Sequence, residues 1–381
     1  QEELQSLIQL YLLDTNNMRI LQILPELNIG GVERGVCDLS RALVKKGHES
    51  YVISNGGKLE SSLVESGGIH ISMPIHIKRF KTLKLADDLY KVIHDINPDI
   101  VHVRSRMPAW VAYHALKKFQ NNKPVHVSTF HGLYSFPIYS KVMAKVDHII
   151  SISRTVEDYI KTTYRVPDNK ITVIPRGCDL TEFNQEPLSA SWKEAWYEEF
   201  PQTLNKKIIM LPARITKWKG VDDFIDLINL INDENIHGIV VGPVSKSKEK
   251  FFKKLQSKVK KFGLETKITF CGSRSDIVNI YKFADIVYNL SKTPEPFGRT
   301  TIEAASVGTK IMGWNHGGTK EILNELFPEG LVKLGDIQAL KEKTIELILD
   351  SDKKPETNSF TSERMIDSTL EVYRSLLEKS S

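Results

Sequence analysis

Glu295 and Glu303 stand eight positions apart around Pro296-Phe297-Gly298-Arg299-Thr300-Thr301-Ile302, where a polar loop turns into helical periodicity. If every intervening residue were helical, the carboxylates would sit about 12 Å apart, at about 1.5 Å of rise per residue. Carboxylate pairs that hydrolyse glycosidic bonds stand about 5–9.5 Å apart. The spacing therefore suits two grips on different parts of one ligand better than an acid/base pair. A helix beginning at Phe297 or Gly298 would offer N–H groups to an anion between them. The plainer reading is a capped helix with two solvated acids.

Two further segments carry charge or backbone freedom. Arg214 and Lys219 lie in Leu211-Pro212-Ala213-Arg214-Ile215-Thr216-Lys217-Trp218-Lys219-Gly220, just past an apolar run. A guanidinium fork and an ammonium at a strand end can clamp a diphosphate; a solvated basic loop is the alternative. Gly30-Gly31-Val32-Glu33 follows the first apolar run and opens a helix, so it is either an anion-binding turn or simply a turn. It is not G-x-G-x-x-G, and no P-loop motif occurs, which puts redox and P-loop chemistry last.

Strands must carry these residues. β-rich runs at 19–24, 50–54, 69–72, 99–103, 125–129, 148–153 and 171–175 alternate with helical periodicity. After a pause the rhythm returns at 207–211, 238–241, 267–271, 285–290 and 310–313. Within 33–46, Val36, Leu39, Leu43 and Val44 share a face, and Gly47 is placed to end the helix. This alternation calls for α/β domains with parallel sheets covered on both faces. The expected division is an extension at 1–17, a first Rossmann-like domain at 18–183, a linker at 184–205, a second Rossmann-like domain at 206–361, and a helix at 362–381 packing back on the first. The extension has no basic leader or small-residue cleavage site, so it reads as an upstream addition or artefact rather than a secretory signal. Ligands of such sheets bind beyond the carboxyl ends of the strands, where the charged segments fall.

Composition narrows the class. The 381 residues carry 52 basic and 47 acidic side chains, net +5, with 41% hydrophobic and 26% charged residues. Disordered, collagenous and coiled-coil chains are excluded, and no apolar stretch reaches the roughly 18–20 residues that cross a bilayer. Cys37, Cys178 and Cys271 are far apart, without metal-ligand spacing. A reducing, cytoplasmic setting is expected, with no cofactor and no metal. The basic excess is too slight to imply nucleic acid.

Together Glu295-x7-Glu303, Gly30-Gly31-Val32-Glu33, Arg214 with Lys219-Gly220, Val173-Ile174-Pro175-Arg176-Gly177-Cys178-Asp179 and Gly317-Gly318-Thr319-Lys320-Glu321 resemble the retaining GT-B glycosyltransferases of family 4, in that family's order from about Met18 to Tyr373. The resemblance implies two doubly wound domains facing across a cleft, a nucleotide-sugar donor on the second and an acceptor on the first. It assigns the donor diphosphate to Arg214 and Lys219, the ribose hydroxyls to Glu303 and the transferred sugar to Glu295. Phe297, Gly298 and Arg299 would present backbone N–H groups, and Gly30, Gly31 and Thr300 complete the implied donor site. His131, in Thr129-Phe130-His131-Gly132, matches the family histidine near the sugar, giving Glu295, His131, Arg214 and Lys219 as the catalytic set. The family further implies retention, no metal and closure of the two domains. Departures at Arg176, Val241-Gly242-Pro243, Lys310 and Trp314-Asn315-His316 bear on specificity rather than on activity.

The expected donor is a UDP-hexose or UDP-N-acetylhexosamine, and the expected acceptor a glycan or glycolipid of lipopolysaccharide or cell-envelope synthesis. Arg104 and Arg106 follow one strand and Arg176 another; they read as an anionic-acceptor site or as plain surface charge. The basic stretch from His76 to Lys84 reads as a peripheral contact with an anionic membrane or as a solvated face. A nucleotide-sugar epimerase, or a non-catalytic nucleotide-sugar-binding protein of the same fold, is the competing function. An epimerase would turn over donor without an acceptor.

Overall fold

The computed structural model describes residues 17–379, so all but Asn17 of the expected 1–17 extension lies outside the described residues. The chain divides into two compact units. One runs through Pro175 and takes back the chain from Arg364; the other spans Arg176–Glu363.

In the first unit β1 (Arg19–Ile23), β2 (Glu49–Ser54), β3 (Ile69–Ser72), β4 (Ile100–Val103), β5 (Val125–Phe130), β6 (His148–Ser151) and β7 (Ile171–Val173) form one sheet in the order β3-β2-β1-β4-β5-β6-β7. In the second, β8 (Lys207–Pro212), β9 (Ile236–Val241), β10 (Ile268–Gly272), β11 (Ile286–Asn289), β12 (Lys310–Trp314) and β13 (Leu331–Val332) run in the order β10-β9-β8-β11-β12-β13. The pairings are parallel in both sheets, for example Ile20↔Ile100 and Ile286↔Ile209. Central strands show no polar alternation: every residue of Ile100-Val101-His102-Val103 and of Ile286-Val287-Tyr288-Asn289 is buried. Helices on both faces demand it. The Gly31–Lys45 helix, for instance, buries Val36, Leu39 and Leu43.

Strand order reverses between β1 and β4 and again between β8 and β11. Connections leave such neighbours toward opposite faces, which opens a crevice at their carboxyl ends. The loops singled out by their chemistry follow these four strands.

The closing helix, Ser362–Glu378, buries Leu370 and Tyr373 in the first unit's core with Met18, Ile20, Ile100 and Ile150. There the Tyr373 hydroxyl shares a 2.5 Å hydrogen bond with His102 Nδ1.

The expected boundaries need correction. Residues 184–205 are not a linker: they include the Ala190–Glu199 helix, whose Trp192 and Trp196 rings stack on each other and meet Phe283 at an angle. Trp192 Nε1 donates to Asp276 at 2.9 Å and Trp196 Nε1 to Thr203 at 3.0 Å. Burying rings of this size stabilises by roughly 1.5–3 kcal/mol each, which outweighs the polar look of the stretch. The boundary also falls at Pro175/Arg176 rather than after 183, because Cys178 is bonded to the chain beside Thr361: Cys178 N donates to Phe360 O at 2.9 Å and Ser362 N to Cys178 O at 3.0 Å.

Each unit buries a histidine on a central strand, His126 on β5 and His237 on β9, and burial lowers both from the ordinary 6.5 to about 4. Between those values the unfolded chain binds protons that the folded one refuses, so the stabilising contribution is complete above about pH 6.5 and is lost as the pH falls toward 4. Each should cost roughly 3 kcal/mol by pH 4. Urea midpoints are therefore expected to fall between pH 7 and pH 4.5, and a His126→Leu/His237→Leu variant should show a shallower fall.

Candidate functional site

In the second unit the chain leaves β8 through Ala213-Arg214-Ile215-Thr216, makes one 3-10 turn at Lys217–Lys219 and enters the Val221–Ile231 helix through Gly220. Gly220 has φ +72°, and a Cβ there would lie 2.0 Å from the Leu290 carbonyl oxygen at the end of β11. Only glycine lets these loops touch. Lys292 N then donates to Trp218 O at 2.7 Å, stitching the two together.

That contact delivers Lys219 to Glu295. The ammonium is ion-paired with Glu295 Oε1, and Ser291 Oγ donates to the same oxygen at 2.5 Å. Glu295 is only 8% exposed, so its charge is compensated by fixed partners rather than by bulk water. Its backbone and that of Ser291 are held as well, Gly318 N donating to Glu295 O at 2.8 Å and His316 Nε2 to Ser291 O at 2.7 Å.

Two helices start against this pair. Arg299–Ser306 begins at Gly298, φ +107°, and Gly317–Leu326 begins at His316; neither has a side-chain cap. Their first-turn N–H groups have no acceptor within the helix and carry partial positive charge. The second helix rests on the first loop so closely that a Cβ on Gly318 would fall 2.2 Å from Phe297 O. The Thr319 hydroxyl, buried beside Gly298, has no hydrogen-bond partner among the described residues.

Glu303 lies further along the Arg299–Ser306 helix with different partners, Arg299 Nη2 at 3.0 Å and the Tyr281 hydroxyl, which donates at 3.1 Å. Burial pushes its carboxyl above the usual range, while Arg299 and Tyr281 pull the other way. Glu295 precedes the helix instead of lying on it, and the two carboxylates share no partner. Of the nearby cations, Lys292 is neutralised by Asp222 and Asp223 at 2.7 and 2.8 Å. Arg214 is exposed and, among the described residues, makes no ion pair.

The first unit holds the remaining sequence-derived residues. Gly30 starts the Gly31–Lys45 helix without a side-chain cap, and the Glu33 carboxylate folds to 2.2 Å from where a Cβ on Gly30 would be. His131 follows β5, its backbone N–H donating to the Tyr134 hydroxyl at 3.4 Å. Of the three arginines expected to bind an anionic acceptor, Arg104 and Arg106 lie in the first unit with different partners. Arg104 turns inward, donating to Gln22 Oε1 at 2.6 Å and Thr129 Oγ1 at 3.2 Å, and burial lowers its pKa. It braces β1 and β5 rather than presenting an open charge. Arg106 lies over the Tyr134 and Tyr139 rings at 5.0 and 5.4 Å, and Arg176 belongs to the second unit. Ser291, His316, Tyr281 and Gln22 were not legible as site residues, since no motif marks a lone serine, histidine, tyrosine or glutamine.

Two family models match the chain. The model of Glycosyltransferase Family 4 covers residues 29–182, and that of Glycosyl transferases group 1 covers residues 193–363. An uncharacterized glycosyltransferase of Methanocaldococcus jannaschii is 22% identical over 92% of this chain and 95% of its own. The GPI3 subunit of the Saccharomyces cerevisiae phosphatidylinositol N-acetylglucosaminyltransferase is 22% identical over 93% of this chain and 81% of its own. The crystal structure of a glycosyltransferase from Rickettsia africae superimposes with a TM-score of 0.84 at 29% identity, covering 96% of this chain and 100% of that one. HepE of Anabaena, solved with UDP and glucose, gives 0.77 at 19% identity over 93% and 99%.

Gly220→Ala is expected to destabilise the second unit by more than the roughly 1–2 kcal/mol of left-handed strain alone, because of the clash at Leu290. Gly263→Ala, at φ +68° with nothing within 4 Å, should cost only the strain. Urea unfolding of the two variants separates the terms.

Proposed function

This chain belongs to the glycosyl transferases group 1 family and is a glycosyltransferase; we propose that it takes a sugar from a nucleotide-diphosphate donor held by the second unit and transfers it with retention to a glycan or glycolipid. The observation that carries this reading is the contact of Lys219 with Glu295 beside two helix starts that have no side-chain cap, at the switch point of the second sheet. Breaking the sugar–phosphate bond sends its electron pair to the departing diphosphate and leaves positive charge at the anomeric carbon. Lys219, Arg214 and the N–H groups at Phe297, Gly298, Arg299 and Thr300 would stabilise the first charge, and Glu295 the second. The acceptor oxygen forms the new bond while its proton passes to the leaving phosphate, so atoms and charge balance without a separate base. These fixed positive groups perform the charge compensation for which other transferases use a metal. Glu303 would bind the ribose hydroxyls, with Arg299 and Tyr281 orienting it, and His131, Gly30 and Gly31 would complete the donor site.

A UDP-hexose or UDP-N-acetylhexosamine fits best, supported by the UDP bound to HepE. A lipid-linked acceptor is supported by the phosphatidylinositol N-acetylglucosaminyltransferase subunits among the relatives. We place the activity in the cytoplasm, in lipopolysaccharide or cell-envelope synthesis, with peripheral contact with the membrane; Lys78, Arg79, Lys81 and Lys84 of the 76–84 stretch are exposed. Among the described residues no helix is long and apolar enough to cross a membrane.

A panel of nucleotide sugars read by thermal shift should raise the melting temperature for UDP-sugars, since a ligand of the native state alone stabilises it. No shift with any nucleotide sugar would remove the reading, and donor turnover without an acceptor would favour an epimerase. Lys219→Ala and Glu295→Gln are each expected to lower kcat/KM at least about 100-fold with circular dichroism unchanged, as measured by product formation.

A further inference from the structure

The second unit carries a concentration of charge that the donor site does not use. Between residues 246 and 261 there are eight lysines and one glutamate, a net +7, while the whole chain is only +5. The rest of the protein, with 44 basic and 46 acidic side chains, is therefore slightly acidic. Most of these lysines lie on the Glu249–Lys261 helix. At 100° per residue Lys250, Lys253, Lys254, Lys260 and Lys261 share one face, all exposed. The opposite face carries Leu255 and Val259, both buried, and Phe252, whose ring meets Phe270 edge-on at 5.1 Å. Lys258, at the seam, is paired with Asp226 at 2.6 Å. Among the described residues the five facing outward make no ion pair.

Five like charges on one stripe repel one another. Packing of the apolar face holds the stripe in place. Its chemistry also selects a partner. The segment 246–261 contains no arginine, so it lacks the planar forks that read phosphates bidentately. Its aromatic rings, Phe251 and Phe252, are half-buried rather than presented for base stacking. Hydrated point charges without outward-pointing apolar residues suit a diffuse anionic layer touched at its surface, without insertion.

We propose that the lysine face of the Glu249–Lys261 helix docks the protein on an anionic lipid bilayer. This surface is distinct from the 76–84 stretch. It takes its purpose from the lipid-linked acceptor proposed above, though the binding itself needs no sugar. Each lysine near such a surface contributes about fivefold to partitioning, and the attraction is confined to about a Debye length.

Co-sedimentation of the full chain with vesicles of phosphatidylglycerol and phosphatidylcholine, against phosphatidylcholine alone, tests the proposal. Binding should require phosphatidylglycerol and weaken with added salt. Replacing the five lysines, Lys250→Gln, Lys253→Gln, Lys254→Gln, Lys260→Gln and Lys261→Gln, should weaken it at least about 100-fold. A Lys78→Gln/Arg79→Gln/Lys81→Gln variant should retain most of it. Wild-type protein that ignores anionic vesicles, or a five-lysine variant that binds like wild type, overturns the proposal. So does retention by duplex DNA or RNA in preference to the vesicles. Because these lysines lie outside the proposed donor site, the nucleotide-sugar thermal shift of the five-lysine variant should equal that of wild type; membrane docking and donor binding therefore fail separately.

Discussion

An ammonium and a carboxylate, both largely removed from water, hold the second unit's loops together: Lys219 from the end of β8 and Glu295 from beyond β11. Taking two charges out of water is costly unless geometry and further hydrogen bonds compensate. Here Ser291 supplies a second donor to the carboxylate, and Gly318 of the Gly317–Leu326 helix bonds the glutamate's backbone carbonyl. The glycines around the pair follow from it. Gly220 and Gly318 sit where a single methyl group would strike a carbonyl oxygen of the neighbouring loop. The site is therefore a backbone-to-backbone assembly into which one charged pair is set.

The sheet explains why the pair meets. β8 and β11 are adjacent although 73 residues separate the end of one from the start of the other. Parallel order with reversal at this point sends their loops out side by side, and the helices that follow begin at the same edge. Their amino ends add positive potential where Lys219 and Arg214 already supply charge. Glu303, a turn into one helix, is kept apart by its own partners, so two carboxylates of like chemistry occupy different electrostatic environments.

The first unit places its polar residues differently. Arg104 ties Gln22 to Thr129, Thr129 touches His102, and His102 meets Tyr373 of the closing helix. The chain thus returns from the second unit to complete the first, through a buried chain of hydrogen bonds. What looked in the sequence like an open cation is a structural strut.

Sequence alone determined the strand and helix rhythm, the parallel class and the family. Burial on both faces writes apolar runs that are local, and the glycine-rich turns and charged motifs keep their order in one dimension. It singled out Lys219, Glu295, Arg299 and Glu303 but not Ser291, Tyr281 or His316 beside them, which carry no local signature. It misread 184–205, where Trp192 and Trp196 among polar neighbours pack on each other and on Phe283, about 90 positions later. It could not tell an exposed Arg214 from an inward Arg104, since both follow strands in basic surroundings. Tertiary structure decided those matters: whether a charge faces water or a buried acceptor depends on which distant strands lie beside it, and that is set by packing rather than by neighbours along the chain.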